Sequence, residues 1–394
     1  MKLLIVIDNF NTGGIATSLY SFLKNLPAYV ECDILSFDLD AIDNTRIPSN
    51  VKILEPDKKL ELLGKSLHEL KKKSFFIAVK KFFLVAISKI VSGEFARRIV
   101  FRSSKTIGNY DMALSYAHDN GWHSISKGCN DYVAKYVDAN IKVAYIHCDY
   151  SNFGGYDKRQ ERTLRLFTHI ATVSKSCKES FIKMFPNLAN KIVVLENFTD
   201  TVLIREKSLE FLDFYDCSKI NFVTVCRISS VKGLDRTVDI FYHLKTVGLS
   251  NFTWTLVGDG PDFQELKKKI NSLEMEDCIF MVGEKTNPYP YIVNSSYFLL
   301  PSRHEAAPMV FNESAILGVP IITTETCSAK EMVEERKIGL VIENNDRSLE
   351  KIIRSIVTGE INPYSVFTHP KDVNYLAKQQ LEYLLEETKN SEKR

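Results

Sequence analysis

Residues 298–324, FLLPSRHEAAPMVFNESAILGVPIITT, constrain the fold more tightly than any other stretch. The apolar run 298–300 reads as a strand that breaks at Pro301, and a polar turn with Arg303, His304 and Glu305 follows. Pro308 stands where a helix begins, because the first helical N–H has no partner to lose. Met309, Ile316 and Leu317 give that helix an apolar face, Gly318 stops it, and residues 319–322 open a second strand. Such a strand–helix–strand unit belongs to an α/β sheet. Its helix N-terminus offers unpaired backbone N–H groups, so Pro308, Met309 and Val310 are candidate anion-binding positions.

Two glutamates bracket that N-terminus, Glu305 before it and Glu313 within the helix. Eight helical residues rise roughly 12 Å, too far for the carboxylate pair of a glycoside hydrolase, at about 5–9.5 Å. The separation suits a ligand with hydroxyl-bearing groups on either side of a diphosphate. A nucleotide-sugar is one, with its sugar near Glu305, its diphosphate over the helix end and its ribose near Glu313. A strand–helix unit with two surface glutamates has the same spacing.

Glu-(seven residues)-Glu after Pro-Ser-Arg, with proline three residues past the first glutamate, resembles glycosyltransferase family 4, the retaining sugar transferases of the GT-B fold. The likeness covers most of the chain and is strongest at residues 222–345. Ala306 departs from it, since the family commonly has glycine there. The resemblance implies two doubly wound, parallel-sheet, Rossmann-like domains facing a cleft. The expected bounds are 1–200 for an acceptor-side domain and 201–370 for a donor domain, with a helix at about 371–388 returning to the first. A chain of 394 residues is long for one core and fits that division.

A net charge of +2 gives no reason to expect nucleic acid as a partner. The eight cysteines form no C-x-x-C pair and no metal-ligand grouping, and read as reduced thiols of a cytoplasmic protein. The opening apolar run, 3–7, is too short for a signal peptide and reads as a buried parallel strand. No apolar run approaches the ~20 residues of a membrane span.

Gly13 and Gly14 follow that strand at the turn into a helix carrying Ile15, Leu19, Phe22, Leu23 and Leu26. A Gly-Gly pair marks a tight turn as readily as a ligand loop. The resemblance puts these glycines against the donor phosphates. Asp38-Leu39-Asp40 imitates a D-x-D metal motif but closes a second strand, 32–37, and reads as a solvated strand end. Residues 65–102 carry ten lysines and arginines against two glutamates, interleaved with Phe75, Phe76, Phe82 and Phe83. Such a basic amphipathic segment suits an anionic membrane surface, and equally a helical hairpin with a solvated basic face.

Strands at 112–116 and 141–146 follow, the second ending in His147 within YIHCDY. A lone histidine is more often structural, but the resemblance aligns His147 with an active-site histidine. Strands at 170–173 and 192–195, with a helix at 175–185, complete the first half, and 197–219 reads as a linker without period. The strand 220–225 leads to Arg227 and Lys232 at a strand-to-helix turn. As bare chemistry these are two loop cations, a bidentate fork and a compact charge. By resemblance they hold the donor diphosphate. Further strands at 254–257, 278–282 and 339–342, and helices at 263–273, 349–357 and 373–386, fill the second half.

The function implied is transfer of a sugar from a UDP- or GDP-sugar to a glycan acceptor, with retention. The acceptor expected is polyprenyl-diphosphate-linked, in surface polysaccharide synthesis at the inner face of the cytoplasmic membrane. No metal is expected, because protein cations meet the diphosphate charge and no ligand cluster has suitable spacing. A nucleotide-sugar epimerase of the same fold, or a catalytically silent partner subunit, remains open at this point.

Overall fold

The computed structural model describes residues 1–394 apart from 12, 103, 120, 122, 153–156, 213, 214, 217 and 392–394. The chain divides into two compact units, Met1–Phe198 with Asn374–Arg394, and Thr199–Val373.

The first unit holds seven strands: β1 (Lys2–Ile7), β2 (Glu31–Ser36), β3 (Val51–Leu54), β4 (Ile107–Ser115), β5 (Val137–Ile146), β6 (His169–Thr172) and β7 (Ile192–Val194). Their order is β3-β2-β1-β4-β5-β6-β7, and every pairing is parallel. Leu3, Leu4, Ile5, Val6 and Ile7 are all fully buried, which is why β1 reads as an unbroken apolar run. The second unit holds β8 (Ile220–Val225), β9 (Phe252–Val257), β10 (Ile279–Gly283), β11 (Tyr297–Leu300), β12 (Ile321–Thr324) and β13 (Gly339–Ile342). They run β10-β9-β8-β11-β12-β13, again all parallel. Trp254 lies at the centre of one core layer with Phe222, Phe241 and Phe252. Its indole N–H is satisfied by Thr224 Oγ1 at 2.9 Å.

Strand order reverses between β1 and β4 in the first unit and between β8 and β11 in the second. At such switch points the loops diverge and leave a crevice at the carboxyl ends of the strands.

The C-terminal helix, Tyr375–Ser391, returns to the first unit as expected. It buries Ala377, Leu381, Leu384 and Leu385, and Gln380 Oε1 accepts the Glu196 N–H at 2.8 Å. Other expectations need correction. The stretch 197–219 is not a plain linker, because Thr201–Ser208 is helical and Asp200 caps it by accepting the Leu203 N–H at 3.2 Å. Positions 213, 214 and 217 of that stretch, Cys217 included, lie outside the described residues; the seven described cysteines are free. The segment 65–102 is three helices, Leu67–Lys73, Phe75–Ile90 and Gly93–Phe101, and three of its cations, Lys65, Lys81 and Arg97, are buried. Asp38 is not a solvated strand end either. It is 3% exposed and pairs at 2.7 Å with Lys65, which also binds Asp40.

Candidate functional site

In the second unit the loops leaving β8 and β11 meet at the switch point. After β8 the chain makes a 3-10 turn, Ser230–Lys232, and enters the helix Leu234–Thr246 through Gly233 at φ 65°. A Cβ on Gly233 would lie 2.2 Å from the Pro301 carbonyl oxygen, so glycine lets the two loops touch. Arg303 then ties them together. Its N–H donates to the Val231 carbonyl at 2.7 Å, and its guanidinium to Ser230 O at 2.6 Å and to both Asp235 oxygens at 2.7 and 2.9 Å. Arg236, buried, adds a bond to the Pro301 carbonyl at 2.8 Å.

With the loops fixed, Lys232 Nζ lies 2.5 Å from Glu305 Oε1, and Ser302 Oγ donates to the same oxygen at 2.7 Å. The structure thus joins Lys232 and Glu305 as one ion pair. Arg227 is exposed, and no hydrogen bond or ion pair among the described residues involves its guanidinium. In the sequence Ser302 and Arg303 stood only as parts of the Pro-Ser-Arg turn and motif, with no role of their own, and Arg236 was not singled out.

The helix beyond Glu305 is Met309–Ile316, and Pro308 is its N-cap (φ −64°, ψ 122°), not its first helical residue. Residues 305–308 are therefore outside the helix, and the continuous-helix rise between Glu305 and Glu313 does not apply. Nor does the helix have one apolar face. Met309, Phe311, Asn312, Glu313, Ser314, Ala315 and Ile316 are all buried, while Leu317 is its C-cap. Asn312 and Ser314 find partners, Thr199 Oγ1 at 3.1 Å and the Val319 carbonyl at 2.7 Å. Glu313, 7% exposed, has no side-chain hydrogen bond among the described residues. Burial alone pushes its carboxyl up to about 7.

In the first unit, His147 follows β5 directly. Its ring packs on Tyr145 at 4.0 Å and Tyr116 at 5.0 Å. Asn197 and the Tyr116 backbone hydrogen-bond it, while Nε2 is buried without a partner among the described residues. Ser18 fixes this surround, bonding Tyr116 and Asn197 at 2.9 Å each. Burial, with the charge of Lys127, pushes His147 down to about 3, so the imidazole is neutral at physiological pH. Gly13 caps the helix Gly14–Lys24 with φ 157° and ψ 171°, a region left almost wholly to glycine. Among the described residues a Cβ there would meet only Asn11 O, at 4.0 Å. Two further groups were not anticipated: Asp8, beyond β1, whose carboxyl burial raises, and His118, beyond β4, which burial keeps neutral. Among the described residues no three His, Cys, Asp or Glu side chains converge as a metal-ligand set.

Residues 216–379 match the family described as "Glycosyl transferases group 1". The chain is similar to the amylovoran biosynthesis glycosyltransferase AmsK of Erwinia amylovora, 28% identical over 150 residues, 36% of this chain and 37% of that one. A second relative is N-acetylgalactosamine-N,N'-diacetylbacillosaminyl-diphospho-undecaprenol 4-alpha-N-acetylgalactosaminyltransferase of Campylobacter jejuni. It is 25% identical over 187 residues, 47% of this chain and 49% of the relative. The matched stretches thus span between a third and a half of those proteins. In three dimensions the chain resembles HepE of Anabaena, solved with UDP and glucose, at a TM-score of 0.67 and 17% identity, covering 98% of this chain and all of that one. The family match thus lies in the second unit and its C-terminal flank, and the chain that carries it has the GT-B fold.

Proposed function

We propose that the chain is a retaining glycosyltransferase of family 4 that moves a sugar from a UDP- or GDP-sugar to a glycan acceptor in surface polysaccharide synthesis. One observation carries the reading: Glu313 buries a partnerless carboxyl on the helix that follows the Lys232–Glu305 pair at a switch point. An unpaired buried polar group is costly, and a ribose diol supplies the two donors that would satisfy it. Lys232 and Arg227, with the helix end at Pro308, Met309 and Val310, then meet the diphosphate, while Gly13 and Gly14 let backbone approach the phosphates. Glu305 takes sugar hydroxyls as Lys232 turns to phosphate.

The charge that develops is on the departing diphosphate, so catalysis rests on preorganised cations and N–H groups. The acceptor attacks from the face the diphosphate leaves, and a phosphate oxygen takes its proton, which keeps the anomeric configuration. No metal is needed where Lys232 and Arg227 supply the charge. The first unit contributes the acceptor side, and neutral His147 offers Nε2 to a substrate hydroxyl. The name of the Campylobacter relative supports a polyprenyl-diphosphate-linked acceptor, and such an acceptor puts the work on the cytoplasmic face of the membrane. The HepE complex with UDP and glucose supports a uridine donor.

Thermal shift with a panel of UDP- and GDP-sugars tests donor binding, since a ligand at 100 times its dissociation constant stabilises by about 2.7 kcal/mol. No shift with any donor overturns the reading. Nucleotide release only with acceptor marks a transferase, isomerised product without acceptor an epimerase, and binding without release a silent subunit.

A further inference from the structure

We infer that the helix Phe75–Ile90 is built inside out, and that its outward face inserts flat into the headgroup layer of an anionic lipid bilayer. Phe75, Phe76, Phe82, Phe83 and Ile90 are 60–83% exposed. At 100° per residue they share one half of the helix with Val79, Ala86 and Ile87, and Lys80 and Lys89 stand at its two edges. The inward half carries Ala78, Lys81, Leu84 and Ser88. Lys81 donates to the Lys65 carbonyl, and Ser88 Oγ to the carbonyls of Val85 at 2.7 Å and His123 at 3.0 Å. An ordinary surface helix keeps its outward half polar.

Charge and length choose the occupant. On this helix Lys80 and Lys89, and beside it in the segment Lys71, Lys72 and Arg102, are exposed and outside any ion pair among the described residues, a match for anionic headgroups. Sixteen residues span about 24 Å, short of the ~30 Å hydrocarbon core, and no described helix is long and apolar enough to cross a membrane. The helix therefore lies in the interface, with aromatic rings at the acyl boundary and lysines at the phosphates. The neighbouring helices also expose Leu67, Phe95 and Ile99.

This deepens the reading of a lipid-borne acceptor, and rests on it for choosing a bilayer over a protein partner. It also reorders the forces: buried Lys65, Lys81 and Arg97 are withdrawn from the surface, and aromatic burial leads while charge assists. Sedimentation of the full chain with vesicles of mixed phosphatidylcholine and phosphatidylglycerol tests it. Phe76→Ser with Phe83→Ser should cut affinity about tenfold or more at both low and high salt, with the melting temperature and donor-induced shifts unchanged. Charge reversal of Lys71, Lys72, Lys80 and Lys89 should remove only the part that salt removes. In Phe83→Trp, indole fluorescence should shift to the blue and be quenched by brominated lipid.

Binding abolished by salt and indifferent to the serine substitutions overturns the inference. So does a dimer, seen by light scattering, that the same substitutions dissociate while vesicles are ignored. A chain that binds vesicles as expected but releases nucleotide from no donor sinks the transferase reading alone. One that transfers to a soluble acceptor and ignores vesicles sinks the docking alone.

Discussion

Glu313 destabilises the fold that holds it. A carboxyl whose value is raised by folding, here from 4.5 to about 7, keeps its proton longer in the folded state than in the unfolded one. Stability is then full below about pH 4.5, falls as pH rises towards 7, and levels off above. Glu313→Gln removes that loss, so the variant should gain on wild type across this window, by up to about 3 kcal/mol at pH 8 in chemical denaturation. The same variant should raise the donor KM with kcat little changed, because a ribose contact is made equally in ground and transition states. A gain in stability with unchanged KM would remove the ribose assignment. Lys232→Ala and Arg227→Ala should each lower turnover about a hundredfold or more in a folded chain, since one lost charge-stabilising donor costs about 2.7–4 kcal/mol; near-normal turnover in either would free that residue from the diphosphate. Arg227, Lys232, Glu305 and His147 could be singled out because each follows a strand, Glu313 because it lies on the helix after Glu305, and all five because the resemblance pointed to them. The pairing of Lys232 with Glu305 was not legible, because 73 residues separate them and only the touching of two loops brings them together.

Elements were legible where burial left an apolar run or period in the sequence, and not where buried positions are polar, as Asn130 and Asp131 are. β1 reads straight from an apolar run. β3, three half-covered residues and an exposed lysine at a sheet edge, and the helix Cys129–Tyr136 gave no clear period and were missed. The segment 65–102 misled for another reason: composition cannot tell a lysine that faces water from one that is buried against a carboxylate. Lys65 belongs to the second kind, with 3% exposure opposite Asp38. Removing one partner of a buried pair strands the other charge, so Lys65→Met should cost about 3–5 kcal/mol in urea denaturation. Asp38→Asn in the same chain should recover much of that loss. A single variant as stable as wild type would return Asp38 and Lys65 to the solvated surface.

At the scale of the molecule, each unit repeats one plan, a parallel sheet whose order reverses once, and the candidate groups cluster at the carboxyl ends beside each reversal. Apolar runs marked individual strands and the resemblance implied the two sheets, but neither gave a sign that Ser18, Tyr116 and Asn197 converge on His147. The units should also fail separately. Truncation after residue 373 removes the buried Leu381, Leu384 and Leu385 from the first unit only. The calorimetric transition of the first unit should then fall or vanish, while donor still raises the melting of the second unit. Loss of both transitions together would mean that the units melt as one.

The second unit interrupts the first: residues 199–373 are a continuous insertion between the body of the first unit and the helix that packs on β4 and β5. Translation runs at roughly 5–20 residues per second, so a nascent chain spends about 9–35 s making the insertion. Throughout that time the earlier unit waits with the faces of β4 and β5 uncovered, while the later one has everything it needs to close. The order of synthesis and the order of completion are opposite, and the surface a ribosome-associated holdase would shield is the one that Leu381, Leu384 and Leu385 finally seal.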